Sequence, residues 1–515
     1  MSASREKKNR LEQAGMPDPK TAREAQRRKE EKRSNMLYGA IAAAFVLVAV
    51  IAIGWRVSIW YGERAQQTAI AATVNDTDYT AAEVNFYFQH TVQNFASQNY
   101  NWLSYLGLDI NSDLREQEYA DGESWFDYFL EQALQQMAEI QALNDAAAAD
   151  GYAWNDELQA QLDESVDSLK SSAASYGYTT EQYLKAVFGN NMTEKTYREQ
   201  MKKALLAEGY SQQFQDSLTY SDSDLSAAYA ANPDNYDKVA YEAIRIDGNP
   251  ATTDDEGNEI EVTDEMTAEA KAEAKETADT MYAAWQNGSS LSELAESSDA
   301  ASYTSSDSAS WSDTVLMKWL FDSKRQTGDS AVLADEDNAV YYVAVFNDRF
   351  REDYNTINVR HILIQPATGE LSEGDEGYEA EQEQLKAEAK QQAEELLAQW
   401  KAGEATEDSF AALANENSSD GGSNTNGGLY SQVTKGQMEA AFNDWCFDSS
   451  RKPGDTGIVE TTYGYHVMYF VGTDEPNWKI QVRDDLADED YSAWYAEKTE
   501  GYTAEQNEKG IQYVG

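Results

Sequence analysis

Cysteine, histidine and proline are scarce in this chain, with one, three and seven residues in 515. A single thiol excludes an intramolecular disulfide and any cysteine-rich metal site. Cys446 sits between Trp445 and Phe447, as a small buried hydrophobe would. Positive charge is scarce as well: 40 Lys and Arg face 92 Asp and Glu, a net charge of −52. Such a surface repels a phosphate backbone, and no basic stripe interleaved with aromatics occurs beyond the first 35 residues, so nucleic acid is excluded as a partner. Neither a P-loop, a His-rich cluster nor an ordered Ser/His/Asp set is found, and no metal or cofactor is expected. The acidic turns Asp254–Gly257 and Glu373–Glu376 lack the ligand spacing of an EF-hand loop and read as solvated loop tips.

What is present begins with a long apolar run. Met36 to Trp55 (MLYGAIAAAFVLVAVIAIGW) is almost uninterrupted, and about 20 residues at ~1.5 Å each match a hydrocarbon core of about 30 Å. Eleven Lys or Arg precede it against six acids, and Trp55, Trp60 and Tyr61 mark the far interface. The expectation is a basic cytoplasmic tail at 1–35, a transmembrane helix at 36–60, and everything after about residue 62 on the outer side. A signal peptide cut near Ala69–Ala72 is the alternative, but the run exceeds a normal signal core. No cysteine directly follows it, which rules out a thioether lipid anchor.

With 41% hydrophobic and 26% charged residues, the length calls for three or four folded units. After a short strand and turn at 72–79, apolar residues recur at helical spacing from Thr80 to Gln98 (Val84, Tyr87, Phe88, Val92, Phe95). Further helices are expected at 122–150, 154–176, 179–188, 193–218 and 222–231, closing at Asn232-Pro233. The Tyr and Trp residues between 86 and 130 read as core, with a chaperone cradle as the alternative.

An internal repeat follows. Ala283-Ala-Trp-Gln-Asn-Gly288 echoes Ala398-Gln-Trp-Lys-Ala-Gly403, Leu291–Ala295 echoes Phe410–Ala414, and Trp319–Ser323 echoes Trp445–Ser449. Each copy of the first motif is expected to end a long helix at a C-capping Gly. Each repeat opens on a strand (Val239–Ile246; Val359–Ile364) and ends on one (Val340–Phe346; His466–Val471), which implies an α+β layer. Beyond 475, Val482–Lys498 is weakly helical, and Gly510–Val514 reads as a last strand that returns to Ala72–Asn75.

Two of the three histidines, His361 and His466, open the first and last strands of the second repeat. Taken alone they fit a pair of satisfied core histidines. Their surroundings resemble the parvulin family over about 120 residues: Val359-Arg-His-Ile-Leu-Ile364, Asn417-Ser-Ser-Asp420, Gly427-Gly-Leu429, Lys435-Gly-Gln-Met438 with Phe442, Lys452-Pro-Gly454 and Thr461-Thr-Tyr-Gly-Tyr-His466. The resemblance implies that His361 and His466 are paired imidazoles beneath an active site, with Thr461 in their network and Asp420 facing substrate. Leu429, Met438 and Phe442 would line a proline pocket, with Gln437 beside them. The position before the Thr-Lys-Gly-Gln-Met run, often aromatic in the family, is Val433 here, and the loop is one residue longer. No basic cluster near Gly421–Leu429 suits a phosphorylated substrate.

Such an isomerase needs no metal, nucleotide or covalent intermediate, because twisting an X–Pro imide breaks no bond. The first repeat places Glu242 opposite His361 and Tyr342 opposite His466 and lacks most of the loop, which marks a degenerate copy. The resulting architecture is multidomain: one N-terminal transmembrane helix, an all-α chaperone-like domain at 72–235, and two α+β parvulin-like domains. The first of these, 236–352, is degenerate; the second, 355–474, carries the site; 475–515 is a tail returning to the helical domain. This organisation resembles PrsA-type and SurA-like bacterial foldases. It implies partners that are unfolded or newly secreted proline-containing polypeptides on the extracytoplasmic side. A non-catalytic holdase or assembly scaffold is the alternative.

Overall fold

Residues 68–120, 122–189, 192–253 and 259–515 are described by the computed structural model. The expected basic tail, the spanning segment at 36–60 and the acidic turn Asp254–Gly257 lie outside them. Among the described residues no helix is long and apolar enough to cross a membrane. The chain divides into two compact units, one running through Thr219 and including Ala487–Gly515, the other Tyr220–Leu486.

In the first unit, β1 (Ile70–Val74) and β2 (Thr77–Thr80) form a hairpin that leads into α1 (Ala81–Gln98). Thr80 starts the helix: its hydroxyl accepts from Glu83 N while the Glu83 carboxylate accepts from Thr80 N, so two orphan donors are satisfied reciprocally. After α2 (Leu103–Leu106) and a small hairpin, β3 (Glu118–Ala120) with β4 (Glu123–Ser124), the same device at Ser124 and Asp127 opens α3 (Trp125–Asp150). Helices α4 (Asp156–Ser175), α5 (Thr180–Phe188) and α6 (Glu194–Ser217) complete the bundle. Tyr87, Phe88, Trp125, Phe129, Met137 and Leu205 fill its core, so most of the aromatic stretch is interior, whereas Tyr100, Trp102 and Tyr105 are exposed.

The second unit opens on α7 (Asp222–Ala231), whose Leu225 packs on Tyr236, Trp478 and Val482. Then one element order occurs twice. The first copy is β5 (Asp237–Asp247), α8 (Asp264–Gln286), α9 (Leu291–Ala295), β6 (Ala301–Ser310), α10 (Val315–Leu320), β7 (Ser330–Asp335) and β8 (Val340–Arg351). The second is β9 (Asn355–Ile364), α11 (Tyr378–Ala402), α12 (Glu407–Asn417), β10 (Leu429–Val433), α13 (Ala440–Cys446), β11 (Thr456–Thr461) and β12 (Gly464–Pro476). The sheets have matching orders, β6-β5-β8-β7 and β10-β9-β12-β11. Alternation along β5 sends Val239, Tyr241 and Ala243 toward Leu320 and Phe321, and Ile244 and Ile246 toward Ala278 and Met281. Of the two expected C-capping glycines, Gly288 takes the left-handed backbone at φ +101°, but Gly403 stays at φ −91°.

Backbone bonds fix how the copies correspond. Gly328 N donates to Phe346 O and Phe346 N to Asp329 O, as Gly454 N donates to Phe470 O and Phe470 N to Asp455 O. Arg325 lies 4.5 Å over the Trp319 ring, and Arg451 4.0 Å over Trp445. On this match Tyr342 occupies the place of His466. The place of His361 falls to Ala243, which pairs with Ala344 as His361 pairs with Met468. The expectation of Glu242 there is one residue off: Glu242 pairs with Val345, one step along the strand, and so stands on the opposite face of the sheet.

The C-terminal stretch consists of α14 (Asn477–Thr499), β13 (Ala504–Gln506) and the short α15 (Glu508–Ile511). The strand is thus Ala504–Gln506 rather than Gly510–Val514. It pairs with β1 through Ala72 and Gln506, Thr73 and Glu505, Val74 and Ala504. Asn507 caps a helical turn instead of continuing the strand. Gly510 lies so close to Ile70 that a Cβ there would meet its carbonyl oxygen at 2.2 Å. Arg115 then donates to Val514 O, and Gly515 N to Asn85 Oδ1, with Val514 fully buried. Deleting residues 503–515 removes this strand pairing and the Val514 side chain, whose burial is worth about 1.5–3 kcal/mol. The urea midpoint of the helical unit, followed by tryptophan fluorescence, is expected to fall. An unchanged midpoint would make the tail peripheral.

Candidate active site

The site grows from the central strands of the second sheet. In β9, Ile357, Val359 and His361 face α13, while Ile362 and Ile364 face α11 and α12. The antiparallel register sets Met468 opposite His361 and His466 opposite Leu363, so both imidazoles lie on the α13 face. Their rings stack at 5.1 Å with an interplanar angle of 24°, and their Nδ1 atoms are 2.9 Å apart. The Phe442 ring stands edge-on to both, at 5.5 and 5.3 Å.

The segment after α12 is laid along β9 by backbone bonds. Ser419 N donates to Leu363 O and Leu363 N to Ser418 Oγ, which brings Asp420 to the His361 ring. Farther on, His361 N donates to Gly428 O. Gly428 has φ +70° and a Cβ there would lie 2.2 Å from His361 O, so only glycine fits this approach. Arg360 steadies the loop by donating to the carbonyls of Asn426 and Gly427.

Proton positions follow from the partners. Asp420 Oδ2 accepts from His361 Nε2 (2.9 Å), Tyr430 OH (2.9 Å) and Ser423 Oγ. With Nε2–H donated to the carboxylate, a neutral His361 presents a bare Nδ1, which accepts from His466 Nδ1–H. His466 Nε2 then accepts from the Thr461 hydroxyl at 2.7 Å, and Thr461 Oγ1 accepts from Tyr463 N at 3.2 Å. The chain runs in one direction, and every ring nitrogen is paired. Both rings cannot be cationic together, because two Nδ1–H groups would then collide.

His361, His466, Asp420, Thr461, Met438 and Phe442 are thus brought together, with Met438 packed beside Phe442. Leu429 is not. It pairs with Arg360 and shares that residue's face, turned toward α11 and α12, whereas Tyr430 pairs with Val359 and stands by His361 with ring centroids 5.3 Å apart. Gln437 is spent on a turn, its Oε1 accepting from Thr434 N and Oγ1. Sequence reading missed Tyr430 and Ser423. Strand alternation next to Leu429 could have found Tyr430; nothing in Asp-Gly-Gly-Ser singles out Ser423.

Burial pushes the Asp420 carboxyl up, but hydrogen bonds from His361, Ser423 and Tyr430 outweigh it and hold the group well below the usual carboxylate range. Burial, and then the repulsion of His361, lower His466 from 6.5 to about 4. An unfolded His466 takes its proton first as pH falls, so stability present above about pH 6.5 is lost toward pH 4. Asp420, depressed in the folded state, contributes stability present above its ordinary pKa and lost below it, in the same direction. The denaturant midpoint of the second unit is expected to drop between pH 6.5 and 4 by the equivalent of about 3 kcal/mol. His466→Phe should flatten that slope, and an equally steep slope in the variant would assign it to other groups.

Comparison with known proteins accords with this geometry. Residues 345–472 match the family described as the PPIC-type PPIASE domain, and residues 28–211 match the SurA-like N-terminal domain. Foldase protein PrsA 1 of Listeria innocua is 40% identical over 62 residues, 12% of this chain and 21% of that protein. Its Listeria monocytogenes counterpart is 39% identical over the same length. The chain thus spans about a fifth of the length of these curated relatives. Among solved structures, Bacillus subtilis PrsA is 14% identical, covering 84% of this chain and 91% of that one, with a TM-score of 0.26, too low to bear on the fold. The chain therefore carries a PPIC-type parvulin domain and a SurA-like N-terminal domain, the domain content of the PrsA/SurA-like foldases.

Proposed function

We propose that this protein is an extracytoplasmic peptidyl-prolyl cis/trans isomerase and chaperone for unfolded, proline-containing polypeptides, held to the membrane by residues 36–60. In this reading 72–235 is a client-binding helical domain, 236–352 a parvulin framework without a site, 355–474 the isomerase and 475–515 a tail completing the helical domain. The observation that carries the isomerase is the hydrogen-bonded chain Thr461–His466–His361–Asp420, buried at its two imidazoles, lying against the apolar surface of Phe442 and Met438.

Rotation about an X–Pro imide must give up amide resonance, a barrier of about 20 kcal/mol. A protein lowers it by gripping the ring in an apolar socket and by favouring the twisted state electrostatically. Phe442, Met438 and the Tyr430 ring suit the socket. Resonance in the planar imide places negative charge on the carbonyl oxygen, and a fixed anion beside that oxygen disfavours the planar form. Asp420 can supply it: Oδ2 is held by three donors, while among the described residues Oδ1 takes only a 3.3 Å bond from Gly422 N. With exposures of 3% and 6%, His361 and His466 act as positioning residues that aim and charge Asp420.

Exchange NMR on an X–Pro tetrapeptide tests this with the full chain. Wild type should accelerate exchange, Asp420→Ala should lose roughly 100-fold in kcat/KM, and His466→Phe about tenfold. Leu429→Val, on the opposite face, should change little, while Met438→Ala should raise KM. A folded wild type without acceleration would shift the reading to a holdase. For the anchor, protease added to intact cells is expected to remove everything after about residue 62; a protected chain would refute the orientation.

A further inference from the structure

The first copy of the repeat has exchanged a catalytic loop for an edge. Where 418–428 carries the site in the second copy, only 296–300 joins α9 to β6 in the first. The edge strand beyond it is ten residues long, against five in β10. Natural sheets blunt long edges with charges, prolines or covering segments. The sequence of β6, Ala-Ser-Tyr-Thr-Ser-Ser-Asp-Ser-Ala-Ser, has one charged residue and no proline, and among the described residues its only neighbour in the sheet is β5.

The register shows which backbone groups point outward. Asp247 N donates to Ala300 O, so this pair is hydrogen-bonded, and so are every second pair after it: Arg245 with Ser302, Ala243 with Thr304, Tyr241 with Ser306. Ala301, Tyr303 and Ser305 therefore turn their backbone groups away from β5. Ala301 N is taken by Ser298 O, which leaves Tyr303 and Ser305 as the presenting rungs. Polar side chains keep this edge soluble without closing its backbone. The exposed rings of Tyr303 and Trp311 stand near its two ends, and Glu242, whose carboxylate accepts from the Tyr303 hydroxyl, joins exposed Asp299 and Asp307 beside it.

We infer that β6 is a docking edge for an extended polypeptide segment of neutral to basic character, which adds to the sheet as a further antiparallel strand through Tyr303 and Ser305. Main-chain pairing gives such a site little sequence preference, and flanking side chains select charge. The acidic flank favours Lys and Arg in the guest. It disfavours a second copy of this chain, since each copy carries a net charge of −52. This deepens the client-binding part of the proposed function and does not depend on isomerase chemistry.

The test uses the full chain and a labelled nine-residue peptide alternating Val, Thr and Lys, read by fluorescence anisotropy. Binding should weaken by about tenfold or more when alternate peptide nitrogens are methylated, and likewise when Glu replaces Lys. Ser305→Pro removes an outward N–H at a position where an edge strand tolerates proline, and should weaken binding similarly with an unchanged far-UV spectrum. Its turnover of an X–Pro tetrapeptide should match wild type. Equal binding of the N-methylated peptide, or undiminished binding by Ser305→Pro, would overturn the inference. So would sedimentation showing a dimer that Ser305→Pro dissociates. Peptide binding that survives in Asp420→Ala separates this edge from the isomerase site.

Discussion

The contact between two imidazole nitrogens is the constraint on which the second repeat is organised. Nδ1 of His361 and Nδ1 of His466 are 2.9 Å apart inside a sheet face closed by Phe442. That distance is attractive only with one proton between them, so one ring must donate and the other accept. Leaving either outer nitrogen unpaired at this depth would cost about 1–3 kcal/mol. Asp420 and Thr461 remove that cost, and each needs its own support: the Ser418 and Ser419 bonds to Leu363 for one, the turn between β11 and β12 for the other. In that turn Thr462 N donates to Glu439 at the start of α13, which ties the turn to the helix that bears Phe442.

The two repeats separate framework from chemistry. Both keep the sheet order, the Gly-Asp bonds to the last strand and the arginine stacked on tryptophan. These features hold a sheet against its helices and are indifferent to what lies on its surface. In the first copy Ala243 and Tyr342 stand where the imidazoles would be, and the segment that brings Asp420 into place is missing. A fold of this kind can therefore lose its site and remain a stable spacer or gain a different surface.

The acidic excess constrains both ends of this picture. A chain with 92 acids and 40 bases discourages self-association and phosphate ligands. Within the site the same sign is concentrated on one half-buried carboxylate, which three donors keep ionised.

Much of this was legible from residue order. Helix starts at Thr80, Ser124 and Thr179 follow from local capping chemistry, and the repeat and the histidine placement follow from spacing along the chain. These features are local, so the sequence determined them by itself. Face assignments in the sheets were not local. Leu429 was expected in the socket and Tyr430 was passed over, because which of two neighbours faces the histidines depends on the pairing of β10 with β9. The pairing of β5 with β8 likewise puts Ala243, not Glu242, in the place of His361, since Ala243 lies opposite Ala344 as His361 lies opposite Met468. At the C-terminus, Gly510–Val514 has the apolar pattern of a strand, but contact with Ile70 and the Asn507 cap make a helical turn of its start and give the pairing to Ala504–Gln506. Tertiary structure decided these points, since a one-residue change of register reverses every side chain and only the partner strand sets the register.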